Sequence, residues 1–293
     1  MTWTGKSEGG VLGFRIFVYS IKTFGIAFAY FILRFVSFYF YLFLSEKKKN
    51  LHSFYQEKFG YSPRESKRLI KKNFLLLGQG LIDKIAFLTG RGNRIGYEEK
   101  GEIYLKELVR NKQGAFLISA HVGNWDIAGN FLSVLGTKVH VLMFENEKEE
   151  ISKLLLKEGV DPMFNIIPIK NDMSHFIGIY NAIKNGDFVC LHADRFLPGD
   201  PTISLPFFGE KADFPLGVFQ IIEKLKAHYT FVFMVKKDTW LYSFSATKPI
   251  VAQKTAGEIA GEFIPVLEKI VSENPEQWFN YYDFYKKNND RLS

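Results

Sequence analysis

Three histidines are followed five residues later by an acid: His52 with Glu57, His121 with Asp126 and His140 with Glu145. An imidazole beside a carboxylate is a general base with a partner that fixes its tautomer and stabilises the imidazolium. Spacing alone does not bring the two groups together. In mid-helix, residues five apart diverge by about 140°, and on a strand they point to opposite faces. His52 lies in a polar helical stretch and His140 in a strand-like run. Only His121 has a turn between the two groups, in Ser119-Ala120-His121-Val122-Gly123-Asn124-Trp125-Asp126. Gly123 is free to take positive φ and Asn124 to cap the helix that follows, so the five-residue step can close there. The alternative is structural: Asp126 as an acid stabilised by the dipole of a first helical turn, His121 as a satisfied imidazole.

The surrounding pattern supplies the frame. Short apolar runs at Ala115 to Ser119, Val139 to Phe144, Asn165 to Ile169 and Phe188 to His192 alternate with helical stretches near 126–136, 147–158 and 173–185. Strand and helix in alternation predict an α/β fold, a mostly parallel central sheet with right-handed crossovers and helices on its faces. Ligands in such sheets bind beyond the carboxyl ends of strands, which is where His121 leaves its strand. Asp194 and Arg195 follow the strand ending at His192 and so reach the same edge. Arg195 is able to hold a phosphate or neutralise an oxyanion with Asp194 orienting it; a local ion pair closing a loop is the alternative. His192 is expected to brace the site or turn into the core, and Cys190, the single cysteine, to be core. Ser62-Pro63-Arg64-Glu65 is a helix start with cap, N1 proline and capping-box acid, opening a helix to about Thr89. Pro215 opens another to about Lys226. Tyr229 to Val235 and Leu241 to Thr247 pair as a hairpin about Asp238-Thr239, and a helix from about Glu258 to Ser272 precedes a terminal aromatic segment.

From Val11 to Leu44 the chain is almost continuously apolar, broken by Arg15, Lys22 and Arg34 and closed by Glu46-Lys47-Lys48-Lys49. Three arrangements fit: one spanning helix with Arg34 facing protein, two shorter interfacial helices with the cations snorkelling to head groups, or a buried helix pair. Residues 1–50 are thus read as a membrane-anchoring N-terminal segment and 51–293 as the α/β catalytic domain. A net charge of +7 suits an acidic partner. Hydrophobic residues at 47% and thirty phenylalanines exclude a disordered chain.

The sequence resembles the late acyltransferases of lipid A biosynthesis, the lauroyl and myristoyl transferases of Gram-negative inner membranes, within the wider glycerolipid and lysophospholipid acyltransferase superfamily. The resemblance covers most of the chain. It rests on His121-Val122-Gly123-Asn124-Trp125-Asp126, Asp194-Arg195, Leu205-Pro206-Phe207-Phe208-Gly209-Glu210-Lys211-Ala212-Asp213-Phe214-Pro215-Leu216-Gly217, Asn274-Pro275-Glu276-Gln277-Trp278 and the apolar N-terminal helix. It implies a glycerolipid-acyltransferase-like fold at the cytoplasmic face of a bacterial inner membrane. It also implies transfer of a fatty acyl group from a thioester donor, acyl carrier protein or alternatively acyl-CoA, to a hydroxyl of a lipid acceptor. His121 would take the hydroxyl proton with Asp126 orienting it, and no acyl-enzyme is needed. Gly123, Asn124 and the amides opening the next helix are candidate oxyanion or phosphate contacts. Phe207, Phe208 and Gly209 would line an acyl groove or simply pack, Lys211 would meet phosphate, and Trp278, Tyr281, Tyr282 and Phe284 would form an interfacial belt or pack. In one respect the chain departs from the family, which usually carries an arginine at the end of the strand Val141-Leu142-Met143-Phe144. A lysophospholipid, polyene-type or amino-acid lipid acceptor therefore stays open.

No Gly-x-Ser-x-Gly run suggests a serine nucleophile. No His, Cys and carboxylate cluster has zinc spacing and no Gly-rich phosphate loop is present, so neither metal nor nucleotide cofactor is expected. A nucleic-acid-binding membrane protein is the competing class. The scattered cations and the lack of an aromatic RNA-binding signature argue against it.

Overall fold

The computed structural model describes residues 11–133, 135–144, 164–169 and 174–285. The expected helix near 147–158 lies outside them.

Five runs pair in parallel to make most of the central sheet. These are β1 (Gly96–Lys100), β2 (Ala115–Ser119), β3 (Val139–Phe144), β4 (Asn165–Ile169) and β5 (Phe188–His192). The antiparallel part comes from β8 (His228–Asp238), β9 (Leu241–Ala246) and β10 (Ile250–Val251). The spatial order is β1-β9-β8-β2-β5-β3-β4, with β10 also on β8. The hairpin expected about Asp238-Thr239 is present, with Asp238 facing Leu241. The early strand β1 escaped the sequence reading because Gly96-Tyr97-Glu98-Glu99-Lys100 is exposed throughout and carries no apolar alternation.

Strand β2 is buried at every residue. Its alternate side chains enter two cores, Phe116 and Ile118 on one sheet face and Ala115 and Leu117 on the other. The first core is closed by α8 (Leu216–Leu225) and α9 (Ala256–Glu273), the second by α4 (Pro63–Leu88), α5 (Glu102–Arg110) and α6 (Trp125–Ser133). Helix α7 (His175–Lys184) precedes β5. Helix α4 starts on the expected capping box: Ser62 Oγ accepts the Glu65 amide at 3.3 Å and Glu65 Oε2 accepts the Ser62 amide at 2.9 Å.

The segment 205–217 is mostly a separate two-stranded hairpin, β6 (Thr202–Phe207) and β7 (Glu210–Pro215). Phe208 and Gly209 form its turn with φ of 49° and 79°. Two positive φ values match the twist of a tight hairpin, and glycine accepts one without strain. The sequence reading missed it because a phenylalanine rarely takes the first of those positions.

The N-terminal apolar stretch divides at Gly25, φ 83°, into α1 (Val11–Phe24) and α2 (Ile26–Phe43); α3 (Ser45–Phe59) then leads to α4. Helix α2 runs antiparallel to α4, with Tyr30 on Asp83 and Tyr41 beside Lys71. Its inner face, Ile26, Ala29, Tyr30 and Leu33, is buried. Its outer face is not: Phe35 is 65% exposed and Phe43 66%, and Arg34 points outward among them. The buried-pair arrangement is therefore corrected. A core helix does not leave a continuous row of aromatics uncovered.

Candidate active site

His121 leaves the end of β2, and Asp194 leaves the end of β5. These strands are parallel neighbours with Ser119 opposite His192, so two further residues on each bring His121 level with Asp194. His121 Nδ1 lies 2.7 Å from Asp194 Oδ1, and Asp194 Oδ2 accepts the His121 amide at 2.9 Å and the Trp278 indole N–H at 3.4 Å. Asp194 is 1% exposed. Burial alone would push its carboxyl up. The His121, Arg195 and His192 rings and charges reverse that and hold it well below the usual carboxylate range.

Asp126 is not that partner. Its Oδ1 pairs with Lys84 Nζ of α4 at 2.8 Å, in an approach too oblique for a hydrogen bond. The turn does close, but α4 places a cation over the Trp125 face, 5.8 Å from the ring centre, and the carboxylate turns to it. The parallel register, a longer-range constraint than the five-residue spacing, decides which acid reaches the imidazole.

Among the described residues no group bonds His121 Nε2, so that lone pair is open to a substrate. Burial, reinforced by the Arg195 charge, lowers the His121 pKa; Asp194 and, least, Asp126 oppose the shift. His192 packs 4.5 Å from His121, ring centre to ring centre, and is pushed down to about 3 by burial. It braces the site as a neutral ring. Burial pushes the Cys190 thiol up to about 12, which disfavours its thiolate.

Gly123 and Asn124 shape the loop and do not face outward. Gly123 takes φ 71°, and a Cβ there would sit 2.0 Å from the Met234 carbonyl oxygen. Its amide donates to Gln277 O at 2.9 Å and that of Asn124 to Met234 O at 2.7 Å. Asn124 Oδ1 caps α6 through the Ile127 amide at 3.4 Å, while Nδ2 donates to Gly80 O at 3.1 Å and Tyr242 Oη at 3.3 Å. With both amides and the side chain engaged, neither residue is left to bind an oxyanion. Arg195 Nη2 donates to Phe279 O at 2.7 Å, and its buried Nε has no hydrogen-bond partner among the described residues.

For Phe207, Phe208 and the terminal aromatics the packing alternative holds. Phe207 is fully buried against Phe214, Trp278 and Phe284, so it is core and lines no groove. Phe208 packs edge-on against Phe54 and Phe59, with its amide held by Glu268. Lys211 stands exposed on β7, opposite Pro206, and Gly209 serves the turn. The terminal aromatics are no outward belt: Trp278 is 1% exposed, Tyr281 Oη donates to Asn73 Oδ1 at 2.8 Å and Tyr282 Oη to Asp194 O at 2.9 Å. This segment straps the loop, since the Phe279 amide also donates to His121 O at 2.9 Å.

The sequence reading missed a buried ionic cluster behind the loop. Asp83 of α4 accepts from Lys236 Nζ, Tyr30 Oη and Tyr242 Oη, and Lys236 Nζ also reaches Tyr30 Oη at 2.9 Å. Lys236 is further tied to the C-terminal strap, its backbone bonding the Gln277 side-chain amide in both directions at 2.7 and 2.9 Å. The sequence carries little signal for it, since Asp83 adjoins Lys84 and Lys236 opens the polar run Lys236-Lys237-Asp238 at the end of an apolar strand.

The model of the bacterial lipid A biosynthesis acyltransferase family matches residues 10–287. The chain belongs to this family. As a lipid A-type acyltransferase it is an enzyme that transfers acyl groups, and it works with an acyl donor and a lipid acceptor. No curated protein matches it. The family is typically membrane-associated, and α2 is a helix long and apolar enough to cross a bilayer.

Proposed function

We propose that this acyltransferase moves a fatty acyl group from an acyl carrier protein thioester to a hydroxyl of a lipid A precursor-like acceptor, with His121 as general base and Asp194 as its orienting acid. The observation that carries this is an imidazole held at Nδ1 by a buried carboxylate and open at Nε2. The acceptor hydroxyl gives its proton to Nε2 as its oxygen attacks the thioester carbonyl. Arg195 meets the charge on the tetrahedral oxygen. Collapse of the intermediate breaks the carbon–sulfur bond, and the departing thiolate takes the proton back from the imidazolium. Asp194 stays ionised throughout and stabilises that cation. Asp126, through Lys84, sets the local charge at the rim. Acyl-CoA is the alternative donor. The missing arginine at the end of β3 keeps a lysophospholipid, polyene-type or amino-acid lipid open as the alternative acceptor.

The outward aromatic face of α1 and α2 supports attachment to the cytoplasmic face of a bacterial inner membrane, with 1–50 as anchor and 51–293 as the catalytic unit. The division at Gly25 and the outward Arg34 favour helices lying in the interface.

The test is transfer by the detergent-purified chain from a charged carrier protein, and separately from acyl-CoA, to a total lipid extract, with product mass naming the acceptor. Wild-type transfer lost in His121→Ala is expected. Equal transfer by both would remove His121 from the chemistry.

A further inference from the structure

Helix α4 begins with Arg64, Lys67, Arg68 and Lys71, spaced so that all four lie on one helical face. All four are exposed, and with Pro63 they line a shallow depression. None is in ion-pair contact with a described carboxylate: Glu65 closes the capping box on Ser62, and the neighbouring Lys72 is the one taken by Glu276, at 2.6 Å. Glu65 feels the Arg68 charge, but one carboxylate against four exposed cations leaves the face strongly positive and open to an anionic partner.

What adjoins this face identifies the partner. Because α2 runs antiparallel to α4, the first turns of α4 project past the end of α2 at Phe43. The junction is Tyr41, whose ring lies under both Lys71 and Lys48 at 5.1 Å. On the α2 side of Tyr41 the surface is apolar, with Phe38, Tyr39, Leu42 and Phe43 all more than half exposed. On the α3 side it carries the lysines at 47–49. An exposed aromatic face that passes directly into a cluster of Lys and Arg has the profile of a bilayer: hydrocarbon, then interface, then phosphate. Tyrosine under ammonium groups belongs at the middle layer.

We infer that the Arg64, Lys67, Arg68 and Lys71 face of α4 binds the head groups of anionic phospholipids, as a second membrane contact continuous with the apolar face of α2. This rests on the reading of α1 and α2 as the membrane-facing elements. The apolar face supplies attachment to any bilayer, and the basic face supplies preference for anionic ones and fixes the rotation of α4 over the surface. Since Gly80 of α4 touches Asn124 in the His121 loop, that rotation sets how the site meets the acceptor.

The experiment is flotation of the full chain with phosphatidylcholine vesicles and with mixed phosphatidylcholine–phosphatidylglycerol vesicles. Wild type is compared with the triple variant Arg64→Gln, Lys67→Gln, Arg68→Gln, all at exposed positions, with circular dichroism to verify folding. Each cation removed near an anionic surface is expected to weaken binding about fivefold, giving on the order of a hundredfold for three, and added salt should erase the difference. Binding to pure phosphatidylcholine should not change. Equal binding of the folded variant to anionic vesicles would overturn this inference and leave α1 and α2 as the anchor. Failure of wild type to bind either vesicle would overturn the membrane reading beneath it. A variant that keeps vesicle binding but loses affinity for acyl carrier protein would assign the face to the donor instead.

Discussion

Two acid–base pairs flank the His121 loop, and they differ in how completely they are satisfied. Around Asp83 and Lys236 the side chains are 0% and 4% exposed, and two tyrosine hydroxyls complete the coordination of both charges. At His121 and Asp194 the acid is about as buried, but the imidazole keeps 23% of its side chain accessible and, among the described residues, one nitrogen without a partner. Burial pushes Lys236 down and Asp83 up, each against the pull of the other. It likewise lowers His121, which favours the neutral imidazole that the proposed base requires. A closed ionic cluster fixes the positions of α2, α4, β8 and β9. An open one leaves a valence for the substrate.

Removing one charge from each pair tests that contrast. Asp83→Ala leaves Lys236 buried without a counter-ion and should destabilise the protein by about 3–5 kcal/mol, read by denaturant unfolding. The double variant Asp83→Leu, Lys236→Met should recover most of that loss. Asp194→Asn is expected to act the other way round, lowering kcat by roughly 10²–10⁴ with a far smaller change in unfolding free energy. Asp126→Asn, which removes only a partly exposed pair with Lys84, should cost about fivefold or less in rate. A larger loss there than in Asp194→Asn would return the orienting role to Asp126. The smallest effect concerns pH. The Arg195 charge helps depress the His121 pKa, so Arg195→Gln should raise it. With the neutral imidazole as the proposed base, the acid limb of the rate profile then moves to higher pH. A shift to lower pH would remove Arg195 from the vicinity of the imidazole.

The sheet and the strand carrying His121 were legible because β2 to β5 are short apolar runs between helical periods. The positive φ of Gly123 and the cap at Asn124 were legible from local turn chemistry. What local reasoning missed depended on pairing. Asp194 was placed at the right edge from its strand, but only the register of β5 on β2 makes it the partner of His121. Asp83 and Lys236 lie 153 residues apart and meet only through packing. The function assigned to Phe207 failed because a Phe-Gly turn closed a hairpin that turned the ring inward.

The strap formed by Gln277, Trp278 and Phe279 touches Gly123, Asp194 and His121 in turn. The strap follows the histidine loop by about 150 residues, so those contacts form only after the loop itself has been made. The apolar helices α1 and α2 precede it in the chain and are made while the histidine loop still lacks its back wall. If α1 and α2 are the membrane contact proposed above, the chain can be placed at its surface before the site is competent, and a chain terminated ahead of Pro275 is expected to bind vesicles without transferring acyl groups.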